Sequence, residues 1–247
     1  NSVAVDTVIT VFMFMFGINF ALYYKFLIGD HFKAFWHDEE FRCYLFIALS
    51  FILLITFFNI GFYQNELAAA GNDASTGSAI LTSLRYSSFQ LSSIISTTGF
   101  VTADFSRWPV ASQMLLLIAM FIGSCAGSTA GGIKVIRMNM LFKLSRRNIL
   151  TTGQPKKVNV IRIDKKAVDE SIVSQVAQFA VMYVALVFIG SFLLTLEGKF
   201  DIITNLSASL TCVSNVGPGL GAVGPVENFA GYGIWGKTVA SLLMLFG

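Results

Sequence analysis

Two short glycine-containing stretches decide the fold: Ser96-Thr97-Thr98-Gly99-Phe100 and Ser214-Asn215-Val216-Gly217-Pro218. Each follows a short helical pattern and precedes another apolar segment, and their central glycines are 118 residues apart (217 − 99). We therefore interpret the chain as one unit used twice: a helix, a half-helix, an extended strand and a second helix. Extended backbone at membrane depth is tolerated only where it lines a cavity or is buried in protein.

The composition is that of a helical membrane protein. Hydrophobic residues make up 55% of the 247 residues and charged residues 13%, whereas soluble domains carry about 25% charged residues. The alternation over roughly ten-residue segments that marks barrel strands is absent from the sequence. We therefore predict an all-α integral membrane fold.

Three apolar segments have the length of full membrane spans, about 20 residues or more. They cover residues 3–28, 41–63 and 168–196. A further span begins at residue 234 and is cut short, and the chain starts without Met. We expect the chain to be a piece of a longer protein.

Two shorter segments, residues 78–95 and 200–213, are predicted to be re-entrant half-helices, here called pore helices. The first carries seven Ser and Thr residues together with Arg85 and Gln90, so it is too polar for a span that faces lipid. Asp201 is placed to cap the start of the second. An extended strand follows each pore helix, at residues 96–100 and 214–218.

The two strands are candidates for a cation-selective filter. A half-helix ends in unpaired carbonyls with about −0.5 charge, so several converging ends favour a cation, and strand carbonyls can replace the hydration shell of an ion. Neither strand contains a carboxylate, which favours a monovalent ion over Ca²⁺. The alternative is a pair of ordinary turns. The candidate cation-binding residues are Thr97, Thr98, Gly99, Phe100, Asn215, Val216 and Gly217.

A glycine-rich stretch, residues 123–132, interrupts a long helix predicted over residues 108–147. Each Gly costs about 1 kcal/mol in a helix interior, so the helix is expected to break there. We interpret the stretch as a flexible intramembrane loop that gates the path below the strands. The alternative is a helix-packing face, because its glycines have small-xxx-small spacing. The candidate gating residues are Gly123, Ser124, Gly127, Ser128, Gly131 and Gly132.

Basic residues set the expected orientation. Residues 134–166 contain ten Lys and Arg and one acidic residue, so the positive-inside rule places them in the cytoplasm. Counting spans outward then puts both strands near the external face. Membrane topology alone accounts for this basic run, a docking surface for a cytosolic partner is the alternative, and no nucleic-acid partner is expected.

The sequence at 96–109, Ser-Thr-Thr-Gly-Phe-Val-Thr-Ala-Asp-Phe-Ser-Arg-Trp-Pro, and that at 123–137, Gly-Ser-Cys-Ala-Gly-Ser-Thr-Ala-Gly-Gly-Ile-Lys-Val-Ile-Arg, resemble the Trk/Ktr/HKT superfamily of potassium transporters. They are most similar to its bacterial TrkH-type membrane subunits. The resemblance spans nearly the whole chain. It implies four repeats of helix, re-entrant pore helix, filter and helix around a pseudo-fourfold pore, with filter glycines at Gly99 and Gly217. Two filters that keep Gly imply K⁺ rather than Na⁺.

The resemblance also implies how the chain is divided. The expected parts are the last helix of an upstream repeat with a cytoplasmic turn (1–40), a complete pore repeat (41–148), a basic cytoplasmic connector (149–166) and a final repeat with a truncated last helix (167–247). The implied location is the lipid bilayer of the bacterial inner membrane. There the chain is expected to be joined to the remaining N-terminal half of the same protein, and the whole protein is expected to form a homodimer. A cytosolic NAD- or ATP-binding regulatory subunit is the implied partner.

The expected function is K⁺ uptake by selective permeation. No cofactor is expected, K⁺ being the transported ligand at Thr97, Thr98, Gly99, Asn215, Val216 and Gly217. An enzyme is not expected, because no set of nucleophile, base and orienting residue is visible. One alternative is a proton- or sodium-coupled symporter, which usually carries an ionisable side chain near the midplane. Another is a non-transporting membrane assembly protein whose glycine-rich helix only packs.

Overall fold

The computed structural model describes residues 2–30, 33–71, 75–153 and 160–247. The regular secondary structure of these residues is almost wholly helical, which confirms the predicted all-α class. The helices in chain order are α1 (Val3–Phe16), α2 (Phe20–Lys25), α3 (Lys33–His37), α4 (Glu39–Ala69), α5 (Thr76–Ile95), α6 (Val110–Ile122), α7 (Val135–Gly153), α8 (Glu170–Thr195), α9 (Ile202–Ser214) and α10 (Ile234–Phe246).

Short turns join several of these helices. A π-helical turn, Phe26–Asp30, follows α2, and 3₁₀ turns lie at Phe105–Arg107, Gly221–Val223 and Phe229–Gly231. The basic connector expected over 149–166 begins inside α7, and its residues 154–159 lie outside the described part of the chain. It ends in an antiparallel hairpin, β1 (Arg162–Ile163) and β2 (Lys166–Ala167).

The helices α4 and α8 are long and apolar enough to cross a membrane. Large apolar side chains of α4 face outward, with Phe46 72%, Leu53 65% and Phe57 68% exposed. Because a row of such side chains is unfavourable in water, this face suits contact with lipid tails. The first span becomes a third candidate only if its bent helix pair is counted as one crossing.

The first span differs from the sequence prediction of one helix over residues 3–28. The chain bends by 92° between α1 and the helical segment that begins at Phe20. Asn19 starts α2, since its side chain accepts the Ala21 N–H at 2.9 Å. The Gly17 carbonyl and the Phe20 N–H, freed by the break, bond to Cys125 and Gly127 at 3.1 Å. Contacts with a distant loop therefore stabilise the break, and hydrophobicity within the segment does not reveal them.

Helix pairs recur along the chain. The shorter helix α5 packs on α4, and α9 packs on α8 in the same way. The helices begin where the sequence supplies caps: the Asp201 side chain accepts the Thr204 N–H at 3.2 Å, as predicted, and Asp38 accepts the Phe41 N–H at 2.7 Å. One hydrophobic cluster contains buried residues of both pairs, namely Leu91, Ile94, Cys212 and Val213. The C-terminal parts of α5 and α9 therefore lie inside the protein.

An ion pair fixes α5 against α1. The Arg85 guanidinium binds the Asp6 carboxylate, and Asp6 is only 3% exposed. The guanidinium also lies 5.2 Å from the centre of the Tyr86 ring. Charge within an apolar environment requires a partner, and Asp6 is the partner that the sequence did not identify for Arg85.

Glu197, in the loop between α8 and α9, binds the start of α10. Its carboxylate accepts the N–H groups of Gly233 and Gly236 at 2.9 and 2.7 Å. These donors lower the pKa of Glu197 below its ordinary value of 4.5, and Lys199 adds to the effect. Because the folded-state pKa is the lower one, the stabilisation is complete above pH 4.5 and is lost as the pH falls through the lowered pKa.

We expect Glu197→Gln to lower the thermal unfolding temperature of the detergent-solubilised protein at neutral pH. The difference from wild type should narrow as the pH falls from 4.5 through the lowered pKa, because the unfolded wild-type chain then takes up a proton before the folded one does. Glu227→Gln is the control, because Glu227 is an exposed acid in the loop between α9 and α10. A difference between Glu197→Gln and wild type that does not change with pH would contradict this assignment.

Candidate functional site

The two strands leave their helices through the same backbone conformation. Thr97 and Asn215, which hold equivalent places in the two repeats, are both left-handed, with φ of 53° and 54°. This conformation is uncommon for residues other than Gly and is a usual way to end a helix. The chain therefore leaves α5 and α9 in the same way.

The hydrogen bonds that close α5 and α9 are also equivalent in the two repeats. The Thr98 N–H donates to the Ser93 carbonyl at 2.8 Å, and the Val216 N–H donates to the Thr211 carbonyl at 3.0 Å. In each repeat the donor lies five residues after the acceptor, so both helices close with the same turn. The two segments predicted to be extended strands are therefore not β-strands, although the name strand is kept for them: the first begins with the cap residue Ser96, and the second begins with the last helical residue, Ser214.

The two strands lie against each other at their glycines. Gly99 has a φ of 76°, and a Cβ there would lie 2.4 Å from the Val216 carbonyl oxygen. A Cβ on Gly217, whose φ is 115°, would lie 4.0 Å from the Gly99 Cα. Because any side chain at Gly99 would collide with the opposite main chain, only glycine permits this approach.

Six carbonyl groups of the strands are candidates for an ion. Within the described chain, no hydrogen bond reaches the main-chain oxygens of Thr97, Thr98, Gly99, Asn215, Val216 or Gly217. The Phe100 carbonyl differs, because it accepts the Ser93 hydroxyl at 2.7 Å. Of the six residues only Val216 is buried, and Thr98, Asn215 and Gly217 are exposed. With no partner in the described chain, these six carbonyls are the ones available to a cation.

Side chains support the strands from within each repeat. The Ser96 and Thr98 hydroxyls bond to each other at 2.8 Å, and the Gly217 N–H donates to the Thr211 hydroxyl at 2.9 Å. Asn215 reaches outward, where its amide donates to the Met244 carbonyl of α10 at 3.1 Å. Hydrogen bonds from polar side chains at the helix ends therefore hold both strands in place.

The glycine-rich stretch is a non-helical loop. Helix α6 ends at Ile122 and α7 begins at Val135, and Gly123, Gly127 and Gly132 have φ of 70°, 73° and 80°. The alternative of a continuous helix with a small-residue packing face therefore does not describe this segment. The Ser124 and Ser128 hydroxyls bond across the loop at 2.9 Å.

The loop touches both strands. The Gly131 N–H donates to the Thr97 hydroxyl at 3.1 Å. A Cβ on Gly131 would lie 2.2 Å from the Ser214 carbonyl oxygen. The Lys134 ammonium donates to the Ala130 carbonyl and holds the same end of the loop. One residue, Gly131, thus meets the starts of both strands.

Sequence reasoning did not single out Glu40. This residue of α4 is 5% exposed and accepts the Ala126 N–H of the loop at 2.6 Å. The only signal in the sequence was an acidic residue in the first turn of a helix, which is typical of helices in general. Within the described residues, no group of three or more His, Cys, Asp or Glu could hold a metal ion.

Comparison with known proteins gives one consistent family. The family model described as "TrkH: Cation transport protein" matches residues 1–247. Proteins called "Trk system potassium uptake protein TrkH", from Salmonella typhimurium and Escherichia coli, are each 34% identical over the whole chain and are covered to 48% of their own length. "Trk system potassium uptake protein TrkG" from Escherichia coli is 31% identical over 90% of this chain, with 43% of its length covered.

A solved structure gives the same result. The "Crystal Structure of the Potassium Transporter TrkH from Vibrio parahaemolyticus" matches with a TM-score of 0.85 and 32% identity. The match covers all of this chain and 50% of the other. The chain thus spans about half the length of the relatives that it matches.

Proposed function

The chain belongs to the TrkH cation transport family, and from this membership we propose that it forms half of a potassium uptake pathway across the bacterial inner membrane. The pathway would work by selective permeation, and the remaining half of the same protein would complete the pseudo-fourfold pore. The observation that carries this proposal is the set of six free carbonyls on two adjoining, equivalent strands.

The electrostatics of the site support a cation. Both short helices end at the strands, and helix C-termini carry about −0.5 charge from their unpaired carbonyls. The strand carbonyls would replace the hydration shell of the ion. The strands contain no carboxylate, which suits a monovalent ion that must leave as readily as it enters. The names of the relatives support K⁺ as that ion.

The contacts of Gly131 support the gating role of the loop. One loop residue bonds to Thr97 and packs on the Ser214 carbonyl, so movement of the loop would change both strands together. Glycines at three left-handed positions allow such a loop to change conformation at low cost. We propose that the loop closes the path in the conformation described here.

The basic residues of α7 and β1 support a protein partner on the cytoplasmic face. A cleft is lined by Lys143, Arg146, Arg147 and Arg162. A salt bridge between Arg147 and Glu170 orders this surface. We propose it as the contact for the cytosolic NAD- or ATP-binding regulatory subunit, in a homodimer of the whole protein.

Coupled symport is not proposed, because the strands carry no ionisable side chain.

Uptake of rubidium-86 tests the permeation proposal. The full-length protein that contains this chain is reconstituted in vesicles loaded with K⁺. We expect K⁺-loaded vesicles with protein to accumulate the isotope, because exchange through a selective path needs no other energy source. Accumulation equal to that of protein-free vesicles would refute permeation.

Gly99→Ser tests the filter assignment. The new Cβ would displace the Val216 carbonyl, so we expect the preference for K⁺ over Na⁺ to fall about tenfold, equivalent to about 1.4 kcal/mol. The measurement is competition of each ion with rubidium-86 uptake. Gly198→Ser is the matched control, since Gly198 has a similar φ of 66° but no atom within 4 Å of the added Cβ. Unchanged competition in Gly99→Ser would remove the assignment.

Deletion of residues 124–130 tests the gate. Without the loop the path below the strands stays open, so basal rubidium-86 flux should rise about tenfold or more, the effect of losing about 1.4 kcal/mol of closure. Assembly is checked by size-exclusion chromatography of the purified protein. A correctly assembled variant with wild-type basal flux would show that the loop does not close the path.

A further inference from the structure

A buried carboxylate lies beside the glycine-rich loop. Glu40 stands in the first turn of α4 and is 5% exposed. Its neighbour Glu39 is instead directed to α7, where it binds Asn139 at 3.1 Å and Lys143. Burial of a carboxylate is costly unless hydrogen-bond donors surround it. The donors that surround Glu40 therefore indicate its role.

One oxygen of Glu40 holds two points of the chain. The Ala126 N–H donates to Glu40 Oε1 at 2.6 Å, and the Ile136 N–H donates to the same atom at 3.2 Å. Ala126 lies in the first half of the loop, and Ile136 lies in the first turn of α7. The segment between them contains Gly131, which contacts both strands. Glu40 therefore closes the base of the segment that reaches the strands.

The bend between α1 and α2 meets the loop at the same place. The Cys125 N–H donates to the Gly17 carbonyl and the Phe20 N–H donates to the Gly127 carbonyl, both at 3.1 Å. The Asn19 side chain also lies against the loop, since a Cβ on Gly127 would be 2.8 Å from its amide oxygen. The first half of the loop is thus fixed to two helical elements, while its second half rests on the strands.

We propose that Glu40 is a positioning residue that holds the loop closed beneath the strands, by fixing Ala126 to the start of α7. This inference rests on the gating role proposed above. A negative charge near a helix N-terminus is favourable in general. This accounts for the bond from Ile136 of α7 to Glu40, but not for the bond from Ala126 of the loop. A shorter acidic side chain that no longer reaches Ala126 should therefore release the loop, although it keeps its negative charge.

Cys125 reports the state of the loop independently of ion flux. Its side chain is fully buried, next to Ala126. A membrane-impermeant methanethiosulfonate reagent modifies Cys125 only when the loop opens, and intact mass measures the rate. The experiment uses the full-length protein, with Cys43, Cys212 and any cysteine outside this chain replaced by Ala.

Glu40→Asp is the test variant and Glu39→Asp is its matched control. Both changes shorten one acidic side chain by a methylene in the same helical turn and keep its charge. We expect Glu40→Asp to speed modification of Cys125 about tenfold, because hydrogen bonds to a charged acceptor are lost. Glu39→Asp should keep the wild-type rate, since Glu39 does not touch the loop. Basal rubidium-86 flux should rise in Glu40→Asp alone.

Two results would overturn the proposal: a wild-type rate of Cys125 modification in Glu40→Asp, or an equal increase in Glu39→Asp. If Glu40→Asp does not assemble, Glu40→Ala and Glu39→Ala, which remove the accepting oxygens altogether, are compared by the same criteria. A third result separates the two ideas. If Cys125 is modified faster in Glu40→Asp but the wild-type protein shows no rubidium-86 flux, the positioning role of Glu40 is supported and the proposed permeation is refuted. The two ideas therefore fail separately.

Discussion

Main-chain polar groups inside an apolar protein body must find partners, and the rest of this structure depends on how that requirement is met at two helix ends. Beyond α5 and α9 the amides of the strands bond back to the helices, as in Thr98 to Ser93 and Val216 to Thr211. The carbonyls of the same residues receive no such bond in the described chain. An asymmetry of this kind, with amides satisfied and carbonyls free, makes the two strands a candidate site for a cation.

Glycine makes the site compact. At Gly99 one strand approaches the carbonyl of the other, and at Gly131 the loop approaches the start of the second strand, each within a distance that excludes a Cβ. The strands and the loop thus meet largely through main chain. Main-chain contacts of this kind tie the positions of the three segments together, so a shift of the loop would reach both strands.

The sequence was sufficient for the features that local chemistry controls. Polarity and length predicted that α5 and α9 are not ordinary spans, Asp201 predicted its own helix start, and the glycine-rich stretch predicted a break between α6 and α7. It was insufficient where distant segments decide the outcome. The 92° bend after α1 is stabilised by bonds to Cys125 and Gly127, and the partner of Arg85 lies 79 residues away at Asp6. Glu40 was missed for the same reason, because an acid in a first helical turn gives no sign of a loop that packs on it.

Anomalous scattering from thallium(I) tests the central claim most directly, since Tl⁺ is a monovalent ion that can stand in for K⁺ and can be located without assumptions about the protein. The measurement requires crystals of the full-length protein soaked in a thallium salt. Strong peaks in direct contact with the main-chain oxygens of Thr98 and Val216 are the result expected. Peaks confined to other parts of the protein, with these oxygens facing lipid or protein, would contradict the account.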